Sequence, residues 1–510
     1  MGRARGAAVA VIARVIVYDV VVKIRDLRRG ISLAGMAVAS LFIAFALRAA
    51  LMPAQSDTFW HLRAGADILR TGEIPRVESY SFTAAGWPWR DHEWLWQPFA
   101  YGAYHLGGMP LLTLSSAVLA IGAVALSYRL TTGPLMTRFL LVAVGLPLSM
   151  AAWVTRPHLV TLAAVPLLMT WLVRERHWPI PLLFVVWANA HGGVALGGVL
   201  LTVATALAVL RWRVLRTPED RRRAVALAAV LPLSGLACLL TPFGLGMISF
   251  LSDSMVRIRA VSIGEWQPAI PTAPFTAGFW VLALAFVAVL IRRRGVLRDG
   301  HASSWAAWVL VGGALTVLPL AFMAVRNIPP FLLLAVPAAS RLLGPEAHVH
   351  VRLPWRKQTE VSTGADHPLI NLGLVVTLAA AAAVFVAWSY RNRDPGLGWQ
   401  PIDERALAAV RACDGPLYNH YDEGGYLIWF TPTKPVFVDG RQDPFPLEHI
   451  LDALAVERGK AHYRPLFDRW GIRCVFLSVG SPTLAALDRD DGWVTRFRDD
   501  RWAVLSAVAR

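Results

Sequence analysis

Charge is scarce in this chain: Asp, Glu, Lys and Arg together make up 16% of its 510 residues, where a soluble globular protein carries about 25%. Apolar residues fill the space, at 56%, and the runs 32–52, 109–128, 276–291 and 369–389 are almost free of charged side chains. A membrane-spanning helix needs roughly 20 such residues. A water-soluble core has no repeated use for them, so the composition excludes a soluble enzyme or binding module. Acidic residues are scarcer than basic ones, which gives a net charge of +16. The excess does not make a nucleic-acid-binding face, because the basic residues stand in short clusters between apolar runs. That is how cytoplasmic loops of multi-pass proteins are charged.

Cysteine is also nearly missing. The three present are Cys238, Cys413 and Cys474, and none stands in a CxxC or metal-ligand spacing. Cys238 sits in an apolar run and reads as packing. Cys413 and Cys474 fall in the same C-terminal region and can either pair or stay free. No cleavable signal peptide is expected either. Residues 1–30 carry Arg3, Arg5, Arg14, Lys23, Arg25, Arg28 and Arg29, and the apolar stretch 7–22 is short and broken by Arg14. This segment is expected to be cytoplasmic or interfacial rather than a span.

The positive-inside bias then orders the chain. Starting inside at Arg25, Arg28 and Arg29, a span at 32–52 leads to a long outer loop, 53–107. Spans at 109–128, 139–154 and 159–173 follow, with Arg156 outside and Arg174 and Arg176 inside. Residues 179–210 are expected to form two short spans meeting near Asn189–Gly193. One span there would strand Arg211, Arg213, Arg216 and Arg221–Arg223 outside. Further spans at 224–240, 275–291, 305–322, 328–340 and 368–389 bring the total to about eleven. The inner cluster of Arg341, Arg352, Arg356 and Lys357 precedes the last. The fold class is therefore an all-α polytopic membrane protein over 31–390, with an extracytoplasmic α/β domain at 395–510. Its N-terminus is cytoplasmic.

This topology gathers the ionisable groups on the outer side: Asp57, His61, Asp91, His92 and Glu93 in the first loop, then Arg156, His158, Asn189, His191, Glu265 and Arg326. Polar groups from separate loops that converge on one face look like a site. Asp57 and His61 are four apart and share a helix face. A carboxylate near low-dielectric lipid suits a general base, although Ser56 or Asp57 could equally cap an interfacial helix. The segment Trp87–Trp96 fits an interfacial aromatic belt or a surface that stacks on sugar rings. Asp91, His92 and Glu93, with Asp57 and His61, are candidate ligands for a divalent cation such as magnesium or manganese, though no spacing specifies one. Arg156 and Arg326 are single arginines at outer helix ends. They suit bidentate phosphate binding or snorkelling to lipid headgroups. His158, Asn189 and His191 either orient a ligand or satisfy the backbone of a broken helix. Glu265, beside Trp266, is a hydroxyl-contacting acid or an ordinary loop charge.

The order of these motifs resembles a family. Asp57-Thr58-Phe59-Trp60-His61-Leu62, Gly72-Glu73-Ile74-Pro75, Ser79-Tyr80-Ser81-Phe82-Thr83 and His92-Glu93-Trp94-Leu95 come first. Thr155-Arg156-Pro157, Asn189-Ala190-His191-Gly192, Thr241-Pro242-Phe243-Gly244, Glu265-Trp266 and Arg326-Asn327 follow. Over roughly 30–345 this is similar to bacterial members of the GT-C glycosyltransferase superfamily, broadly the protein mannosyltransferases and the aminoarabinose transferases of lipid A. Gly424-Gly425-Tyr426-Leu427 and Val438-Asp439-Gly440-Arg441 resemble what accompanies such members. The resemblance implies a bacterial plasma-membrane enzyme that takes a sugar from a polyprenyl-phosphate donor at the outer face. Transfer is inverting, to a hydroxyl of a glycan, lipid or protein acceptor. Asp57 matches the base position, and Asp91 or Glu93 the second acidic one. Phe59 stands where an Asp-x-Asp pair would have its second acid, which weakens the case for metal dependence.

Short strands are expected at Leu417–Tyr421, Pro435–Val438, Arg473–Leu477 and Trp502–Ser506, with helices at Leu447–Arg458 and Tyr463–Trp470. That alternation makes a small α/β domain, whose Asp422, Glu423, Asp439, Arg441 and Asp443 either touch an acceptor or form strand-end ion pairs. Two other functions fit a polytopic chain. A transporter or flippase of lipid-linked sugars calls for mid-membrane charges and inverted repeats, which are not found here. A non-catalytic scaffold would do its work through the outer domain.

Overall fold

The computed structural model describes residues 30–297, 303–344 and 366–508. The expected N-terminal interfacial segment and the basic cluster Arg352, Arg356 and Lys357 lie outside the described residues. Among the described residues helices dominate, and six are long and apolar enough to cross a membrane: α1 (Leu33–Ala50), α3 (Trp96–Leu130), α7 (Val194–Leu215), α10 (Pro274–Arg293), α11 (Ser303–Met323) and α13 (Pro368–Arg391). The shorter helices α4 (Leu135–Gly145), α5 (His158–Val173) and α6 (Ile180–Ala190) are apolar as well. The chain is a multi-pass membrane protein.

Two sequence expectations can be checked in this layer. The stretch 179–210 does break, at His191–Gly193, into α6 and α7. The 11 residues of α6 reach only about 17 Å at 1.5 Å per residue, half the hydrocarbon thickness. The expected span at 139–154 is α4 followed by a separate 3₁₀ turn, Pro147–Ala152, because Pro147 cannot continue the α-helical ladder.

Burial sorts the helices. α12 (Ile328–Leu343) is enclosed almost throughout, packed against α3, α10 and α11 (Ser127 Oγ donates to Leu333 O at 2.8 Å). By contrast α13 is apolar on every side yet has only 6% of its span window buried, as expected of a helix solvated by lipid. It is pinned at its ends. Asn371 Nδ2 donates to Ile31 O at 3.0 Å, and Tyr390 Oη donates to Ala50 O at 2.6 Å. At the expected inner side, Arg223 of α8 (Pro218–Ala237) lies 2.5 Å from Asp220 and 2.6 Å from Glu175, over the Trp305 ring at 4.6 Å. This inner arginine is therefore a packing anchor as well as a topology signal.

The loop expected to lie outside is built on α2 (Ser56–Thr71), which Gly72 ends in the left-handed conformation at φ 74°. α3 then begins at Trp96, earlier than the expected 109, and breaks at Gly107 and Gly108, the latter at φ 65°. The remaining segment, α9 (Gly246–Val261), fills most of the other long outer loop.

The C-terminal part carries a four-stranded sheet of order β1-β2-β4-β3. β1 (Leu417–Asn419) pairs parallel with β2 (Cys474–Ser478), which pairs antiparallel with β4 (Trp502–Ala507). β3 (Trp493–Arg498) closes the far edge. Helices α14 (Glu404–Ala412), α15 (Gly424–Phe430), α16 (Leu447–Glu457), α17 (Tyr463–Trp470) and α18 (Pro482–Leu487) surround it. Cys413 and Cys474 are disulfide-bonded. The expected strand at Pro435–Val438 does not join the sheet. Val436 instead bridges to Ser81 of the first outer loop, with Val436 N donating to Tyr80 O at 3.0 Å.

Candidate active site

Asp57 occupies the first turn of α2, where a negative charge opposes the positive end of the helix dipole. Its side chain does not cap. The capping position is Gln55, and Asp57 reaches outward to other elements. Its Oδ2 lies 2.6 Å from Arg156 Nη2, and Trp60 Nε1 donates to its Oδ1 at 3.1 Å. Arg156 faces Glu265 at 3.9 Å, and Glu265 faces Arg326 at 3.2 Å. Arg326 in turn stacks on the Trp266 ring at 4.2 Å. Burial alone would raise the proton affinity of Glu265, but Arg326 and then Arg156 outweigh it and hold the group below its usual range. Four of the predicted residues thus form one row of alternating charge, Asp57, Arg156, Glu265 and Arg326, gathered from four segments. The two guanidiniums have carboxylates as partners that an anionic ligand could replace.

Beneath this row lies a layer of a different kind. Glu93 Oε2 is 3.4 Å from His61 Nε2, while its Oε1 is 3.6 Å from His191 Nε2 and 3.7 Å from His92 Nε2. These separations exceed the 2.7–2.9 Å of charge-assisted hydrogen bonds, and the titration tendencies agree with a neutral cluster. Burial pushes Glu93 up to about 8 and His92 down to about 4, and holds His61 well below its ordinary value. Around His191 the hydrogen-bond network fixes the tautomer. Thr161 Oγ1 accepts from Trp187 Nε1 at 2.8 Å and lies 2.7 Å from His191 Nδ1, to which Gly193 N also donates at 3.0 Å. Nδ1 is therefore the acceptor and Nε2–H points at Glu93.

Not every candidate joins this centre. Asp91 is 2% exposed. Its Oδ1 accepts from Gln97 Nε2 at 2.8 Å, its Oδ2 has no partner, and burial lifts it to about 7. That is a carboxyl shaped to hold its proton inside the protein. Asn189 spends its whole amide on the protein. Its Oδ1 accepts from Trp94 Nε1 at 2.7 Å, and its Nδ2 donates to Val185 O and Leu240 O at 2.8 and 2.9 Å. It staples the outer loop to the broken helix. His158 Nε2 donates to Ala152 O at 2.6 Å. The tryptophan-rich segment is not an open aromatic face either. Trp89 and Trp96 are buried, and Trp87 is the exposed one at 44%.

The residues present do not suit a divalent cation. Among the described residues no group of three or more His, Cys, Asp or Glu side chains is arranged to hold one. The geometry gives the reason. Asp57 turns to an arginine, Asp91 to an amide, and the two Glu93 oxygens to different imidazoles.

Sequence reasoning missed what covers the row. A Cβ at Gly440 would stand 2.6 Å from Asp57 Oδ1, and one at Gly425 would stand 2.4 Å from Ser56 O. The C-terminal turns therefore lie directly on α2. They are clamped there by Arg441, which meets Glu78 at 2.6 Å and Asp439 at 2.6 Å with all three side chains buried. Arg90 adds a second clamp, 2.8 Å from Asp443. The two C-terminal motifs were the available signal, but nothing in them names α2 as partner. On the membrane side an apolar groove of about 220 Å³ opens beside Gly192, lined by Phe184, Leu201, Leu231 and Met247 among others.

No protein-family profile and no curated protein matches this chain. Solved structures do. An oligosaccharyltransferase of Archaeoglobus fulgidus in the apo form aligns over 87% of this chain and 69% of its own at 10% identity, with a TM-score of 0.54. The same organism's oligosaccharyltransferase AglB, with an inhibitory peptide and a dolichol-phosphate, gives 9% identity over the same shares and a TM-score of 0.49. ArnT from Cupriavidus metallidurans, bound to undecaprenyl phosphate, covers 92% of this chain and 98% of its own at 15% identity and a TM-score of 0.46. The first of these shows that the chain shares the fold of that oligosaccharyltransferase.

Proposed function

We propose that the chain transfers a sugar from a polyprenyl-phosphate donor to an acceptor hydroxyl, with inversion, at the extracytoplasmic face of a plasma membrane. The observation that carries this reading is the ion pair of Asp57 with Arg156, set in a row with Glu265 and Arg326; an apolar groove between helices opens beside Gly192, the residue after His191. The groove suits a prenyl tail. The arginines suit its phosphate, because a planar guanidinium binds phosphate oxygens in pairs. Of the three candidate catalytic acids, burial pushes Glu93 up to about 8 and Asp91 is enclosed with its Oδ1 on Gln97, so the base role goes to Asp57, which pairs with Arg156.

In this mechanism Asp57 accepts the proton of the acceptor hydroxyl as its oxygen attacks the anomeric carbon. The carbon–oxygen bond to phosphate breaks on the opposite face. Polyprenyl phosphate leaves with the bonding pair, its charge balanced by Arg156 and Arg326. Arg156 must exchange its partner from Asp57 to phosphate when the donor binds. No step runs through a metal. The Cys413–Cys474 disulfide favours an oxidising compartment for the C-terminal domain, and so the outer face. The alternation Asp57–Arg156–Glu265–Arg326 supports an enzyme over a flippase, since it sits at the mouth of the helices rather than midway through them.

The test is Asp57→Asn, which keeps the side-chain shape and removes the charge and one of its two acceptor oxygens. Transfer should fall roughly 10²–10⁴-fold while undecaprenyl phosphate still binds. Near-full transfer by this variant eliminates Asp57 as the base.

A further inference from the structure

Asp422 is about 365 positions from Asp57 in the chain, yet it shares its surroundings. Two close approaches bring it there. The 439–441 turn can lie on the Asp57 carboxylate only because Gly440 has no side chain, and the start of α15 can lie on the start of α2 only because Gly425 has none. Tyr421 ties the two C-terminal segments together, its Oη donating to Gly440 O at 3.0 Å. Its backbone N–H donates to Glu457 at 3.1 Å. The next residue, Asp422, is exposed and has no hydrogen-bond or ion-pair partner among the described residues. Four influences act on its carboxylate: burial and the charge of Asp57 favour its proton, and Arg156 and Arg458 oppose them. A free carboxylate therefore stands within the electrostatic reach of the Asp57–Arg156 pair, on the residue that follows Tyr421, whose hydroxyl holds the Gly440 turn against Asp57.

We propose that Asp422 is an acceptor-binding residue of this active site, carried into it on a C-terminal wall that Gly440 allows to close over Asp57. The proposal rests on the reading of Asp57 as base and extends it. The acceptor's nucleophilic hydroxyl gives its proton to Asp57. A neighbouring donor group on the same acceptor, a second hydroxyl or an amine, hydrogen-bonds to Asp422, which orients the nucleophile and takes no proton itself. An acceptor of this kind carries at least two hydrogen-bond donors close together, which fits a sugar or other polyol better than a simple alcohol.

The experiment uses the full chain in proteoliposomes, with undecaprenyl phosphate as the binding probe. Transfer is read as release of polyprenyl phosphate in source-cell membranes that supply the native acceptor. Asp422→Asn should bind undecaprenyl phosphate within twofold of the parent protein and transfer about 10- to 100-fold more slowly, the loss of one hydrogen bond to a charged group. Raising the acceptor concentration should recover part of this, and Asp422→Glu should restore part of it. Gly440→Ala should also keep binding and lose transfer, because its methyl displaces Asp57. Transfer by Asp422→Asn within twofold of the parent overturns the proposal, and so does a loss of undecaprenyl phosphate binding in that variant. If Asp57→Asn is inactive while Asp422→Asn is fully active, this inference alone fails. If Asp57→Asn is active, the base assignment fails first.

Discussion

Replacing Arg441 by methionine should detach the C-terminal turns from the outer loop, and the size of the effect follows from the contacts. The guanidinium meets Asp439 Oδ1 and Oδ2 at 2.8 and 2.6 Å and Glu78 at 2.6 Å. It is also stacked on Trp89 at 4.7 Å and Tyr80 at 4.9 Å. The three charged side chains are at most 1% exposed. Methionine fills much of the volume and removes the charge, leaving two buried carboxylates without a cation. Breaking a buried ion pair by removing one partner costs about 3–5 kcal/mol. The cation–π contacts add about 1–2 kcal/mol when desolvated. A loss of about 4–7 kcal/mol is comparable to the stability of a small domain, so the C-terminal part should open while the helices stay folded. Limited proteolysis of the detergent-solubilised protein reads this directly, as rapid cleavage C-terminal to residue 395 beside protected helices. Replacing the whole triad with Glu78→Gln, Asp439→Asn and Arg441→Met should recover much of the loss, since no unpaired charge then remains. Parent-like protease resistance of the single variant, with a denaturation midpoint unchanged, would refute the claim that these charges hold the two parts together.

Two further outcomes follow from the site. Glu93 is raised by burial to about 8, so between the ordinary carboxyl range and that value the folded protein holds a proton the unfolded chain has lost. The stability this contributes is complete at low pH and disappears as pH rises through about 8, with a slope of at most about 1.4 kcal/mol per pH unit. Glu93→Gln should therefore lose about 2 kcal/mol less than the parent between pH 6 and 8 in denaturation titrations, and equal slopes would contradict a protonated Glu93. Arg326→Lys keeps the charge but loses the planar fork and the stack over Trp266 at 4.2 Å. Its affinity for undecaprenyl phosphate should fall about tenfold with no loss of folding, and unchanged binding would move the phosphate elsewhere.

The helical layer and the side on which polar groups collect were legible because lipid imposes length, apolarity and charge asymmetry on sequence. The same rules explain the break at His191–Gly193. Asp57, Arg156, Glu265 and Arg326 could each be named from their positions at helix ends, and the fold does bring them together. Spacing misled where the backbone is not helical. Asp91, His92 and Glu93 are adjacent and look like one ligand set. On an irregular turn, however, they point to an interior amide, an aromatic pocket beside Phe250 at 4.3 Å, and the histidine cluster. The tryptophans around them read as a belt for a similar reason. Hydrophobicity shows that a ring leaves water but does not say whether lipid or protein receives it. Strand β3 was missed because its side chains are mostly exposed, so it lacks the alternation that marks a half-buried strand.

What the sequence hid most completely is the dependence of the membrane site on the C-terminal part, and the cause is chemical. Contacts made through missing atoms leave no residue pattern to read. Gly425 and Gly440 act by offering bare backbone at 2.4 and 2.6 Å from where a Cβ would meet α2, and glycine is common in turns for many other reasons. The charged partners are no clearer, since Glu78 and Arg441 lie 363 residues apart and either could have been a solvated surface group. Once the turn is placed, the acids divide by surroundings rather than by type. Asp57 is paired with an arginine at 2.6 Å. Glu93, with His61, His191 and His92 at 3.4, 3.6 and 3.7 Å, is pushed toward its neutral form by burial. A pair of carboxylates set apart by environment in this way is the pattern from which acid and base roles are assigned, and the proposed base is the one that the C-terminal turn touches.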